Sequence, residues 1–341
     1  MEIEYSIEDV IEEFEKGNSD FAIFMFRQIT SDKKKKKSAQ FIDLEKKLAN
    51  YILACIHEHK IRELDRTMSQ KLIEQVDLIL EWDPHHYQAL NIRGMLYINL
   101  DEYERAIEDL SLAIGIELIE DDAYVNRGIV YYEMGDYQNA LCDLDLADAL
   151  SIDDPYVLFC RGNVYYEKKD FLSAFADFYL AFEKGYSDNS MLLKMLLSKY
   201  RIGNSVETYS LSEELAATFA ALPSLSLSIF HEIRGLSLYD MSCFEDALEQ
   251  IHMAIASDMD RSSLYYHRGM IFNCLKRNEE ALNDFSRALQ LDKEYAKAYF
   301  GRAICYENKN EKQRAFKDYA NAFFYDPKMK KAAESMTELS G

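Results

Sequence analysis

The sequence predicts an all-α chain, an α–α superhelix (solenoid) of stacked antiparallel helix hairpins with a C-terminal capping helix. Three observations carry this expectation. The helix breakers Gly and Pro number only 12 and 4 in 341 residues. The dipeptide Arg-Gly recurs at Arg93-Gly94, Arg127-Gly128, Arg161-Gly162, Arg234-Gly235 and Arg268-Gly269, with Arg302-Ala303 as a sixth copy, at intervals of 34, 34, 73, 34 and 34 residues. Small and large side chains also keep constant offsets from each Gly. Twelve positions on stands Ala106, Ala140, Ala174, Ala247, Ala281 or Ala315, and nineteen on stands Ala113, Ala147, Ala181, Ala254, Ala288 or Ala322. Sixteen on comes a large group, Leu110, Leu144, Phe178, Ile251, Phe285 or Tyr319.

This spacing describes two helices per unit. A small residue lets two helix backbones approach, and the large residue opposite fills the hole. One such hairpin cannot bury its apolar face alone, so the units stack. In chain order, residues 1–37 read as an N-terminal hairpin cap, with Ser6 and Asp9 in capping-box positions and Lys33–Lys37 as a solvated connector. Residues 38–186 form a first array, opened by a stretched hairpin at Tyr51–His59 and Ser69–Trp82. Turn signals separate the helices, as in Gly135-Asp136-Tyr137 and Lys169-Asp170-Phe171. Residues 187–228 form a degenerate unit, with helices near Met191–Tyr200 and Val206–Ala221 and Leu196 where the Gly belongs. Its five-residue insertion is expected to bend the array. Residues 229–326 hold a second array, and 327–341 a cap whose helix covers Met329–Leu339.

The pattern resembles the tetratricopeptide repeat (TPR) family. The resemblance rests on Gly94, Tyr97, Tyr103, Ala106, Leu110 and Ala113 and their equivalents through residues 88–326. Pro84 and Pro327 follow second helices, as the family prefers, whereas Arg stands before the Gly where Leu is usual. The resemblance implies a concave groove lined by first helices, with ligand contacts at offsets −6, −3, +4 and +5 from the Gly. Those positions hold Asp122, Tyr132 and Glu133, then Tyr156, Tyr166 and Glu167, then Glu232, Tyr239 and Asp240, and finally Tyr266. Acids beside tyrosines suit an extended or helical partner segment carrying Lys or Arg. A clamp for a terminal carboxylate is not expected, because only Lys297 and Asn126 match part of one. The implied function is a non-enzymatic protein-interaction scaffold. A chaperone-like or regulatory protein holding one client, or the regulatory subunit of an enzyme complex, is the alternative.

Charge points the same way. Sixty acids against 39 bases give −21, which disfavours a nucleic-acid partner. Residues 101–154 carry 16 acids and two bases, net −14, while 31–71 are net +5 and 276–331 net +4. An acidic middle attracts basic partners, and it equally suits self-association with the basic ends. Each Arg before a Gly also has an acid sixteen positions later: Arg93–Asp109, Arg127–Asp143, Arg161–Asp177, Arg268–Asp284 and Arg302–Asp318, with Arg234–Gln250 the exception. These read as structural ion pairs, because buried charges persist when paired.

Neither a catalytic site nor a cofactor is expected, since no phosphate loop, nucleophile elbow or metalloprotease motif occurs. Cys55, His57 and His59 lack a second ligand pair, so no metal is expected either. The six scattered cysteines, the absence of an 18-residue apolar run and the start Met1-Glu2-Ile3-Glu4 lead to an expected cytoplasmic location without membrane insertion.

Overall fold

Small residues spaced along two helix faces decide how this chain packs. The computed structural model describes residues 64–340, apart from positions 82, 153 and 220–222, with isolated residues between Ser6 and Gln28. Its helices are α1 (Arg66–Leu80), α2 (Tyr87–Asn99), α3 (Tyr103–Ile116), α4 (Asp122–Glu133), α5 (Tyr137–Leu150), α6 (Pro155–Glu167), α7 (Phe171–Glu183) and α8 (Asn189–Ile202). They continue with α9 (Ser205–Phe219), α10 (Ser224–Asp240), α11 (Phe244–Ser257), α12 (Ser262–Cys274), α13 (Asn278–Leu291), α14 (Ala296–Asn308), α15 (Lys312–Tyr325) and α16 (Lys330–Ser340). No strand occurs among the described residues. The chain divides into two units, Met1–Val164 and Tyr165–Gly341. The degenerate segment 187–228 lies wholly inside the second.

Of the segment 1–37, Ser6 and Asp9 form the expected reciprocal cap. The Ser6 N–H donates to the Asp9 carboxylate at 2.7 Å, and the Asp9 N–H donates to the Ser6 hydroxyl at 3.1 Å. Lys33–Lys37, the helix expected at Tyr51–His59, and Cys55, His57 and His59 lie outside the described residues.

In the first unit α2 packs on α3 and α4 on α5, α1 contacts α2 and α3 contacts α4, and α2 also touches α4. In the second unit α10/α11, α12/α13 and α14/α15 repeat this scheme, with α10 touching α12 and α12 touching α14. Within each unit, first helices therefore form one layer and second helices the other. All twelve repeat alanines are fully buried, as are Leu110, Leu144, Phe178, Ile251 and Phe285, with Tyr319 nearly so.

The glycines sit where those large groups arrive. A Cβ on Gly94 would lie 2.6 Å from Leu110 Cγ, and one on Gly235 2.7 Å from Ile251 Cδ1. In the sixth copy Ala303 is buried, and the close approach shifts to Gly301, where a Cβ would meet Phe285 at 2.6 Å. Each hairpin turn carries a left-handed residue seven positions after the Gly: Asp101, Gly135, Lys169, Ser242, Lys276 and Asn310. Only one of these is a glycine, so packing of the two helices imposes the turn.

The degenerate unit follows the same plan with sizes exchanged. Leu196 is buried at the glycine position, and the position sixteen on holds buried Ser212 instead of a large residue. Asp188 caps α8 by accepting the Met191 N–H at 2.9 Å, and Gly203 ends it with φ 93°. The inserted residues lengthen α10 to 17 residues, against 12 in α4, with the extra turn at its N-terminus. Phe219 stacks on Phe230 there, with centroids 4.5 Å apart. At the C-terminus Met329, just before α16, and Met336 and Leu339 within it pack onto Ala303, Ala315, Tyr319 and Ala322, as a cap requires.

The arginines do more than pair within a hairpin. Arg93 Nε and Nη2 donate to Asp109 at 2.6 and 2.7 Å while Nη1 donates to Asp77 of α1 at 2.6 Å. Arg127 holds Asp143 at 2.8 Å through both bonds and reaches Ser111 of α3 at 2.9 Å. Arg302 holds Asp318 at 2.7 and 3.0 Å and reaches Ser286 of α13 at 3.2 Å. Arg268 makes the same fork with Asp284, both bonds at 2.7 Å. Each fork lies on nearly buried carboxylates, where bidentate geometry offsets desolvation. Arg161 belongs to the first unit and Asp177 to the second; within its own unit Arg161 Nη1 donates to Asp145 at 3.0 Å and Asp148 at 2.8 Å. Arg234, facing Gln250 where the others face Asp, turns instead to Glu213 and to the Tyr209 hydroxyl. Gln250 bonds His231 Nδ1 at 2.9 Å.

Three outcomes are expected. Gly94→Ala should destabilise by about 1–3 kcal/mol through overpacking, whereas Gly115→Ala, with nothing within 4 Å of its Cβ, should be neutral or stabilising by up to about 1 kcal/mol; urea melts of both variants compare them. Asp143→Ala should cost about 3–5 kcal/mol because it strands a guanidinium that is mostly buried, while Glu102→Ala, which removes the exposed partner of Arg105, should cost less than about 1 kcal/mol. An unchanged melting temperature for Asp143→Ala refutes the pairing energy. Burial, more than Arg234, holds His231 below its ordinary pKa. As pH falls through about 6.5, the unfolded chain takes up a proton that the folded chain refuses, and stability drops. His231→Gln should flatten that part of the melting-temperature profile, and an unaltered slope refutes it.

Candidate functional site

The residues expected to line a groove occupy opposite ends of the first helices. Asp122 opens α4 and Glu133 closes it, and a 12-residue helix separates its ends by about 16 Å. The predicted contacts therefore form two rims.

On the rim at the C-terminal helix ends, each tyrosine is used by its own hairpin. Tyr132 lies 6.2 Å from Tyr137, Tyr166 5.7 Å from Phe171 and Tyr239 5.7 Å from Phe244, each pair closing the turn into the second helix. Lys194 Nζ stands 5.4 Å over the Tyr166 ring, so one cation–π partner comes from the chain itself. The Cys274 thiol donates to the Tyr239 hydroxyl at 3.6 Å, and burial pushes that phenol's pKa up. Asp240 accepts a hydrogen bond from Ser205 at 2.9 Å and also from Tyr200, whose pKa burial pushes to about 12. Glu133 and Glu167 are exposed.

The N-terminal rim differs between the units. In the second unit Glu232 is mostly buried and already paired with Arg261, with His267 Nδ1 at 2.9 Å. Burial alone would raise its pKa, yet His267, Arg261 and the Ser263 hydroxyl hold it below the usual carboxylate range. Tyr266 packs against Tyr295 at 5.3 Å and lines a cleft with Lys297, Phe300 and Lys328, so its surroundings are cationic rather than acidic.

In the first unit the acids converge. One cleft of about 410 Å³ is lined by Asp83, His86, Tyr87, Asn91, Glu117, Glu120 and Asp122. A second, of about 370 Å³, shares Asn91 and Asp122 and adds Asn126, Asp154 and Tyr156. Between them the Asn126 amide donates to the Asn91 carbonyl at 2.9 Å, both side chains being buried. Asp122 and Tyr156, two of the expected contacts, are thus brought together. Asp83, Asn91, Glu117 and Glu120 are additions that a column at fixed offset from the Gly does not find. A carboxylate-lined cleft with a half-buried tyrosine can hold an ammonium or guanidinium group. Among the described residues, no helix is long and apolar enough to cross a membrane.

Comparison with known proteins agrees with this architecture. Two sequence profiles described as tetratricopeptide repeat match residues 87–118 and 275–325. No curated protein matches the chain in sequence. Among solved structures, the crystal structure of the APC/C hetero-tetramer Cut9-Hcn1 contains a chain matched at TM-score 0.53 and 13% identity, over 92% of this chain and 59% of that one. This chain therefore spans less than two thirds of that neighbour's length. The C-terminal part of a TPR repeat-containing protein from Cytophaga hutchinsonii matches at TM-score 0.54 and 15% identity, over 72% of this chain and 99% of that one. With the glycine and alanine columns buried at helix crossings and two profiles matching in different units, the chain is a tetratricopeptide-repeat protein.

Proposed function

We propose that the protein is a non-enzymatic interaction scaffold whose first unit binds an extended or helical, Lys- or Arg-bearing segment of a protein partner along the α2, α4 and α6 layer. The observation that supports this reading is the convergence of Asp83, Glu117, Glu120 and Asp122 on one cleft, within a stretch of net charge −14. Asp122 lies in the first turn of α4, where the helix dipole favours an anion. Tyr156 offers an aromatic face at the neighbouring lobe. In the second unit Glu232 and Tyr166 already have cationic partners, so the basic segment is assigned to the first unit. Glu133, exposed at the far end of α4, would serve a longer segment.

Fluorescence anisotropy with a labelled Lys/Arg-rich peptide containing one Trp tests the assignment on the full chain. Asp83→Asn combined with Asp122→Asn and Glu133→Gln is expected to weaken binding about tenfold or more, which corresponds to about 1.4 kcal/mol. Raising salt from about 0.05 to about 0.5 M should weaken the unaltered protein similarly, since exposed charges are screened over a few ångströms at that strength. Binding indifferent to both changes overturns the proposal.

A further inference from the structure

We propose that a lysine-rimmed pocket in the second unit is a docking site for the acidic loop 117–122 of a second copy of this chain. The pocket, about 450 Å³, has an apolar floor made by Tyr266, Phe300 and Met329. Its rim is Lys297 of α14, Lys328 in the turn before α16, and Lys330 and Lys331 in the first turn of α16. Among the described residues, no carboxylate lies within ion-pair distance of these four lysines. Lys330 and Lys331 stand at the positive end of a helix whose first turn contains no acid. That placement is unfavourable until an anion arrives. A ligand for this pocket therefore needs carboxylates and an apolar anchor on one short segment.

The first unit displays such a segment. Between α3 and α4 the run Glu117-Leu118-Ile119-Glu120-Asp121-Asp122 joins four acids to two aliphatic residues. Leu118 is 64% and Ile119 78% exposed, although both are large and apolar. Among the described residues, Glu117, Glu120 and Asp121 form no ion pair. The Tyr124 hydroxyl donates to the Leu118 carbonyl at 3.5 Å, tethering the loop. Seating Leu118 and Ile119 on Tyr266, Phe300 and Met329 buries apolar surface, and the flanking carboxylates meet the lysines. Every copy carries both the loop and the pocket, so charge complementarity lies within one sequence. The contact joins different patches on the two copies: it closes where two copies exchange loops reciprocally and otherwise extends head to tail.

Sedimentation velocity on the full chain, from about 5 to about 200 µM, tests this. In about 0.05 M salt the weight-average sedimentation coefficient should rise with concentration, and in about 0.5 M salt the rise should disappear. Two variants, Lys328→Glu/Lys330→Glu/Lys331→Glu in the pocket and Glu117→Lys/Glu120→Lys/Asp121→Lys in the loop, should each remain monomeric while keeping the helical circular dichroism of the unaltered chain. Mixing them should restore association, because reversed loop then meets reversed pocket and unaltered loop meets unaltered pocket. Leu118→Asn/Ile119→Asn should weaken association about tenfold at unchanged charge. A chain that stays monomeric throughout the concentration range in low salt overturns the proposal, even if a synthetic peptide of residues 115–123 binds it, since the occupant would then be a foreign acidic segment. Association that persists in either charge-reversed variant overturns it as well.

Discussion

The close approach of two helices at a glycine is the constraint from which the rest of the architecture follows. Leu110, Ile251 and Phe285 project into space that any Cβ on the facing glycine would claim. Once the two helices are that near, the alanines on either side of the large residue must stay small. The turn between them must then reverse the chain in few residues. The left-handed residue seven positions after each glycine follows from this geometry. Asp101, Lys169, Ser242, Lys276 and Asn310 accept a conformation in which L-residues typically lose about 1–2 kcal/mol, which only helix packing can offset. Leu196 with Ser212 shows that the requirement is complementary volume rather than glycine itself.

The arginine before each glycine fastens the stack across hairpins. In Arg93, Arg127 and Arg302, Nε and Nη2 hold an aspartate sixteen residues ahead in the same hairpin, and Nη1 holds an acceptor sixteen residues behind, in the previous second helix. One planar guanidinium thereby joins three helices, which a lysine, with a single point charge, could not do with comparable geometry. The acceptor behind is Asp77, Ser111, Asp145 or Ser286, so its chemistry varies while its place does not. Arg234 shows the hierarchy. Deprived of an aspartate by Gln250, it keeps the backward contact, through Glu213.

This explains how far the sequence could be read. The fold was legible because the crossing residues sit in columns of period 34 that any self-comparison exposes. The forward Arg–Asp fork was legible too, being a separation of sixteen inside one hairpin. The backward bond was not, because its acceptor changes residue type from unit to unit. The site was less legible still, since neighbouring first helices meet in a register of 35 rather than 34. Asn126 with Asn91, Cys274 with Tyr239 and Asn308 with Asn273 are all separated by 35 residues. Aligned columns therefore miss the partners that decide whether a side chain is available. Glu232 looked like a free groove acid until Arg261 and His267 closed on it. Tyr266 looked like part of an acidic face, yet three of its neighbours around the cleft, Lys328, Lys330 and Lys331, come from a cap with no repeat column to place it.

The two units thus manage charge in opposite ways on one scaffold. In the first, carboxylates gather at the N-termini of first helices and in the loops that lead into them, where the backbone dipole favours anions and water solvates the rest. Asp122, in the first turn of α4, is one such carboxylate. In the second, lysines occupy the same kind of helix end, and the dipole works against them. The proposed binding of a basic segment to the acidic rim would draw on long-range attraction, which is easily screened. The basic rim starts from unfavourable electrostatics, and an arriving anion relieves a cost the folded chain already carries. A repeat protein can in this way present two clefts of opposite charge without altering the packing of a single hairpin. What distinguishes them is the sign of the charge set against the same end of a helix dipole.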